Sequence, residues 1–121
     1  MSDYLISASE PTDLRIDPLE FVEKLRMQWP DAEIYMPADI TSGLRWRLPI
    51  GIPPLDGRLY ETFDTIGLDG YPKECAQFAV WYRKFVPSKY RLILYDPALN
   101  HGPVELESET SAQTIIDALT S

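Results

Sequence analysis

Proline residues spread along the whole chain limit the length of every helix and strand that this sequence can form. The chain has 121 residues and 11 prolines, roughly twice the average usage. Proline fixes its own φ and lacks an N–H, so it is tolerated in the first turn of a helix but not in its interior. Pro18 and Pro30 therefore delimit one segment of helical length, and Pro72 and Pro87 delimit another. The sequence predicts short elements rather than long helices.

The first helix is predicted for residues 18–29. Asp17 is a suitable N-cap, Pro18 suits the first helical position, and Glu20 lies where a capping box requires it. Apolar residues then recur at helical spacing, which predicts one buried face formed by Phe21, Val22, Leu25 and Trp29.

Two further helices are predicted for residues 72–86 and 111–120. Pro72 begins the earlier one, and Thr110 or Ser111 caps the later one. The buried stripe of the earlier helix consists of Cys75, Phe78, Ala79, Tyr82, Phe85 and Val86. The later helix buries Ala112, Ile115, Ile116 and Leu119.

The remaining periodic segments alternate apolar and polar residues or are rich in β-branched and aromatic residues, as strands are. These segments are residues 32–36, 44–48, 58–66, 91–95 and 104–106, with a further edge strand at 4–7. The element order is therefore (β)-α-β-β-β-α-β-β-α. This order predicts one α+β domain over residues 1–121, with a mostly antiparallel sheet of about five strands and three helices on one face. Residues 49–57 are predicted to be an exposed loop.

Charge narrows the classes of partner. The net charge is −8, whereas binding to nucleic-acid phosphates requires a basic surface, so no nucleic-acid partner is expected. Residues 1–44 carry net −6, residues 45–95 net +3 and residues 96–121 net −5. This distribution suits either a solubilising surface or an acidic face that steers a basic protein partner.

The chain is expected to be cytoplasmic. Residues 1–13 lack the basic and apolar regions of a signal peptide, and no apolar run has the length of a membrane span, so no membrane partner is expected. The single cysteine, Cys75, cannot form an internal disulfide.

Catalytic side chains are few. A thiol–imidazole pair could use only Cys75 and the sole histidine, His101, and a small enzyme or ligand-binding site could add Asp96. A metal site could be formed from Asp96, His101 and Glu105. A buried structural thiol and an Asp-Pro turn explain these residues more simply, so no catalytic residue, metal or cofactor is expected.

Candidate binding residues fall into two groups. Amphipathic aromatic residues flank the predicted buried faces, and such residues are frequent at protein interfaces: Tyr60, Tyr71, Trp81 and Tyr90. Three glutamates, which on an extended strand would point the same way, form an acidic edge: Glu105, Glu107 and Glu109. Arg45 and Arg47, on either side of Trp46, are expected to pair with that acidic strand.

The size, acidity and element order are similar to those of the type III secretion chaperones, which dimerise. Size and acidity are also similar to those of the small immunity proteins that neutralise toxin domains. No residue motif carries either likeness. We expect a non-catalytic, cytoplasmic protein-binding module whose acidic surface recognises a basic protein. The alternatives are an immunity-protein-like or secretion-chaperone-like binder, a homodimer, and a small enzyme or ligand binder using Cys75, His101 and Asp96.

Overall fold

The computed structural model describes residues 3–10, 12–98, 100 and 103–120, and only the backbone of residue 40. These residues form three α-helices and seven β-strands. The helices are α1 (Pro18–Gln28), α2 (Pro72–Phe85) and α3 (Ala112–Thr120). The strands are β1 (Tyr4–Ala8), β2 (Glu33–Tyr35), β3 (Leu44–Leu48), β4 (Leu55–Leu59), β5 (Ile66–Asp69), β6 (Leu92–Tyr95) and β7 (Val104–Leu106). A 3₁₀ turn, Ile40–Ser42, precedes β3.

All seven strands belong to one antiparallel sheet with the order β2-β3-β4-β5-β1-β6-β7. Strand β1 lies inside the sheet, because it pairs with β5 on one side and β6 on the other. The prediction that residues 4–7 form an edge strand is therefore wrong. The nearly continuous apolar run in β6 agrees with its position between two neighbouring strands.

The α+β class is confirmed, whereas the predicted number of strands was too low. The difference arises at residues 58–66, which form the end of β4, a turn and the start of β5 rather than one strand. Within the turn, the Tyr60 N–H donates to the Thr65 carbonyl at 3.0 Å and Phe63 adopts φ +58°. The loop predicted at 49–57 is correspondingly shorter, because β4 already begins at Leu55.

Helices α1 and α2 pack against one face of the sheet, where strand alternation collects the apolar side chains, and α3 packs against α2. Trp46, Tyr82, Phe21 and Phe78 are the largest fully buried side chains. The Phe21 ring lies 4.9 Å from Trp46 and 6.4 Å from Tyr82, measured between centroids. The alternate positions of β3 are exposed and those of β4 are only half-buried, so no helix among the described residues covers the opposite face of these strands.

Local capping follows the sequence. The Asp17 side chain accepts from the Leu19 N–H at 3.1 Å at the start of α1. The Ser111 hydroxyl accepts from the Thr114 N–H at 3.1 Å at the start of α3. Helix α2 begins at Pro72, as expected for a proline at the first helical position.

Arg83, which the sequence did not single out, secures the end of α2. Its side chain is only 7% exposed and donates to four carbonyl oxygens. These acceptors belong to Tyr90, Val86, Pro87 and Leu106, at 2.7, 3.0, 2.8 and 3.3 Å. Desolvation lowers the pKa of this guanidinium. Its hydrogen bonds connect α2 to the segment before β6 and to β7.

Within the described part of the chain, no helix combines the length and apolar character needed to cross a membrane.

Candidate binding site on the open sheet face

The sheet face without helices carries a row of charged side chains at one end. Strand register places Glu33 opposite Arg47, Arg47 opposite Asp56, and Asp56 opposite Asp69. Arg47 donates to Asp56 at 2.7 Å. Because residues directly opposite on one face of a sheet are neighbours, this row brings together carboxylates that are distant in sequence.

The row ends in a depression of about 340 Å³, which we call the acidic notch. It is lined by Asp3, Pro53, Pro54, Asp56, Asp69, Gly70 and Tyr71. Two hydrogen bonds from backbone N–H groups to carboxylates hold Asp3 and Asp69 close together. The Asp3 N–H donates to the Asp69 carboxylate at 2.9 Å, and the Gly70 N–H donates to the Asp3 carboxylate at 3.2 Å. Three carboxylates and one neighbouring guanidinium give the acidic notch a local excess of negative charge.

Apolar groups border the acidic notch. Tyr71, at the N-cap position of α2, is 60% exposed, and Ile52, in the β3–β4 loop, is 94% exposed. Pro53 and Pro54 follow Ile52 and line the notch itself. An exposed aromatic ring and two prolines beside carboxylates offer both apolar contact area and charge, the combination that protein interfaces use.

Buried groups behind the notch respond to its charge. The Cys75 thiol is fully buried and lies 3.7 Å from the Gly70 carbonyl. Burial raises the pKa of Cys75 to about 12, with the carboxylates of Asp3, Glu74 and Asp69 adding to the effect. The pKa of Tyr4 is also raised. Burial is the largest cause, and electrostatic repulsion from Cys75, Asp3 and Asp96 adds to it.

These properties bear on the small enzyme that the sequence left open. Burial raises the pKa of Cys75 to about 12 and so favours the protonated thiol at neutral pH, whereas the thiolate is the nucleophilic form. Asp96 accepts from the Ala98 N–H at 2.8 Å in a turn. His101 lies outside the described residues, so the three-residue site stays a prediction. Around the side chains that are described, no group of three or more His, Cys, Asp or Glu could hold a metal ion.

The four predicted aromatic residues lie in different places. Trp81 is half-buried between α1 and α2, with its ring 5.5–5.7 Å from Phe21, Trp29, Phe78 and Phe85. The Tyr90 hydroxyl donates to Asp13 at 3.0 Å. Tyr60 lies under the Arg58 guanidinium at 4.5 Å. Of the four, only Tyr71 borders the acidic notch.

The three predicted glutamates do not share one strand. Strand β7 ends at Leu106, and a turn follows in which the Thr110 N–H donates to the Glu107 carbonyl. Glu105 accepts from Arg91 at 2.9 Å on the open face. Glu107 and Glu109 are exposed in the segment after the strand. The three glutamates therefore do not form an acidic strand edge, and we call Glu105, Glu107 and Glu109 the acidic corner.

The expectation that Arg45 and Arg47 pair with the strand carrying Glu105 is wrong, because four strands separate β3 from β7 in the sheet. Arg47 pairs with Asp56 on the adjacent β4, and Arg45 faces Arg58. The alternating pattern correctly predicted that both arginines lie on the face of β3 that Trp46 does not occupy. It could not predict which strands are the neighbours of β3.

Sequence reasoning missed the carboxylates of the acidic notch. Asp3, Asp56 and Asp69 are far apart along the chain, and they meet only because β1 and β4 both pair with β5. Residues 1–44 carry net −6, but no local pattern in the sequence distinguishes Asp3 from the other acids.

Comparisons of the chain with protein-family models, with curated proteins and with solved structures gave no match.

Proposed function

We propose that this chain is a non-catalytic module that binds another protein, and that its acidic notch receives a lysine or arginine of that partner. The observation that carries the proposal is the convergence of Asp3, Asp56 and Asp69 beside the exposed ring of Tyr71.

The charge of the notch favours a cation. Each ionised carboxylate can accept several hydrogen bonds, and backbone donors occupy only part of the capacity of Asp3 and Asp69. An incoming guanidinium or ammonium would form charge-assisted hydrogen bonds, which are stronger than neutral ones. The ring of Tyr71 would add a cation–π contact.

The border of the notch favours a protein over a free cation. Tyr71, Pro53 and Pro54 line the notch with apolar surface that a single metal ion or amine would leave uncovered. Apolar and aromatic side chains of this kind contribute much of the binding energy of protein interfaces. The net charge of −8 would in addition speed the approach of a basic partner.

Narrower roles depend on what the partner is. A toxin domain as partner would make the chain an immunity protein, and a secreted effector would make it a secretion chaperone. We place the interaction in the cytoplasm, where a lone cysteine such as Cys75 remains reduced.

The test is affinity capture from a lysate of the native host, followed by binding kinetics with the identified partner. The variant is the double substitution Asp3→Asn and Asp69→Asn, which removes two charges while keeping the shape of the side chains. We expect the Kd to rise by about tenfold or more, because hydrogen bonds to charged groups are each worth about 1.5–3 kcal/mol.

The matched control is Glu20→Gln with Glu23→Gln, which removes two exposed charges on α1. If the control weakens binding as much as the notch variant, net charge rather than the notch determines the affinity and the proposed site is wrong. An identified partner that binds equally well to both variants and to the unmodified chain contradicts the proposal as well.

A further inference from the structure

Two arginines face each other on the open side of the sheet. Arg45 on β3 and Arg58 on β4 are directly paired in register, and Tyr35 on β2 is paired with Arg45. Like charges directly opposite on a sheet repel and destabilise the pair of strands. An anion between them would remove that repulsion.

The chain itself supplies no such anion among the residues that the structure describes. The nearest guanidinium along the strand, Arg47, is bound to Asp56, but no ion pair involves Arg45 or Arg58. Arg58 lies over the ring of Tyr60 at 4.5 Å. Stacking of this kind holds the face of a guanidinium while leaving the N–H groups on its edge able to donate.

The two arginines lie at the boundary between two adjoining depressions, of about 580 and 310 Å³. Both depressions are lined by Arg45, Arg58 and Tyr35, and the larger one also by Tyr60. We call this region the arginine cleft. Its opposite end carries Asp56 and Asp69, which also belong to the acidic notch. The cleft therefore has one cationic end, which Tyr35 and Tyr60 also line.

We infer that the arginine cleft binds a phosphate monoester. Two guanidiniums require two negative charges, and a phosphate monoester carries about −1.5 to −2 at pH 7 with three strong acceptor oxygens. A carboxylate supplies one charge and matches one arginine fork at a time. The exposed ring of Tyr35 provides a flat wall for the group that the phosphate is attached to. This inference is independent of the protein partner proposed above, because it uses Arg45 and Arg58, which do not line the acidic notch, although the two depressions share Asp56 and Asp69.

The ester could belong to a free metabolite or to a phosphorylated side chain, and the probes distinguish these sources. Amide chemical shifts of the isotopically labelled protein are followed during titration with adenosine monophosphate, with a phosphotyrosine peptide and with inorganic phosphate. We expect saturable shifts at residues 45–47 and 56–58. The tightest of the three probes identifies the source, and equal affinities mean that the phosphate group alone is recognised.

The variants are Arg45→Gln and Arg58→Gln, and the matched control is Arg26→Gln, which removes an exposed arginine of α1. Each cleft variant is expected to weaken binding by about tenfold or more, while the control binds as the unmodified chain does. Far-UV circular dichroism establishes that each variant is folded.

Three results would overturn the inference. These are no saturable shift up to about 10 mM of any probe, equal weakening by Arg26→Gln, and equal binding of the unphosphorylated peptide. The variant with Asp3→Asn and Asp69→Asn should retain phosphate binding, so a failure at the arginine cleft is distinguishable from a failure at the acidic notch.

Discussion

The indole ring of Trp46 occupies the space that a side chain at position 57 would need, because Gly57 is its direct partner on the neighbouring strand. A Cβ at Gly57 would overlap the Cε2, Nε1 and Cζ2 atoms of the ring. Trp46 is at the same time stacked on Phe78 of α2, with ring centroids 5.6 Å apart. The glycine thus determines how deeply the tryptophan lies in the core, and through it how α2 sits on the sheet.

The substitution Gly57→Ala should destabilise the fold by about 1–3 kcal/mol, since the added methyl forces a tightly packed ring to move. Urea unfolding measures this loss. Trp46→Leu should cost about 2–4 kcal/mol on its own by removing buried aromatic volume. The double variant should lose less than the sum of the two, because leucine leaves room for the alanine. Strict additivity would show that the two side chains do not compete for space.

Arg83 provides a second test of stability. Replacing it with methionine keeps most of the length but leaves four carbonyls without their donor. We expect a loss of about 2–4 kcal/mol in the free energy of unfolding, because the bonds to Val86 and Leu106 are buried and losing buried hydrogen bonds is costly. Lys84→Met, at the exposed neighbouring position, is the control and should change stability by less than about 0.5 kcal/mol. Equal effects at the two positions would contradict the structural role of Arg83.

How much of this could be predicted from sequence varies from element to element. The helices were predictable because each carries its own start or stop residue, such as Pro72 or Pro87. The β4–β5 turn was missed because no glycine or proline stands between Tyr60 and Thr65, and its left-handed position is taken by Phe63. The acidic notch was missed for a different reason, since strand order is a tertiary property that no local pattern encodes.

The stability of the protein should fall in alkaline solution. Burial raises the pKa of Cys75 from its ordinary value of 9.0 to about 12. Above pH 9 the unfolded chain therefore loses its thiol proton while the folded chain keeps it. The stabilisation is complete below pH 9 and is lost as pH rises towards 12, at about 1.4 kcal/mol per pH unit for one group.

Urea unfolding between pH 7 and 10.5 measures this decline. Cys75→Ala removes the thiol and should flatten the curve between pH 9 and 10. The remaining decline above pH 10 comes from Tyr82 and Tyr4, whose pKa values are also raised by burial. If the free energy of unfolding of Cys75→Ala fell with pH in parallel with that of the unmodified chain, the thiol would not be buried as the structure shows it. Rapid reaction of the folded protein with a thiol reagent at pH 8 would mean the same.

The acidic corner and the acidic notch should affect different rate constants of protein binding. Glu105, Glu107 and Glu109 are exposed at one edge of the sheet, away from Tyr71. Reversing all three charges should lower the association rate with a basic partner, because exposed charges act on diffusional encounter. The effect should be large at low salt and should shrink above 0.1 M, where the Debye length is about 10 Å.

Tyr71→Ala should act on dissociation instead, since it removes contact area at the site itself, and its effect should depend little on salt. Surface-based kinetics at two salt concentrations separates the two cases. Since Arg91 and Glu105 form an ion pair in which both side chains are largely exposed, the triple reversal should leave thermal stability nearly unchanged. If the triple reversal instead raised the dissociation rate as Tyr71→Ala does, the contact surface would extend to β7 and the acidic notch would be only one part of it.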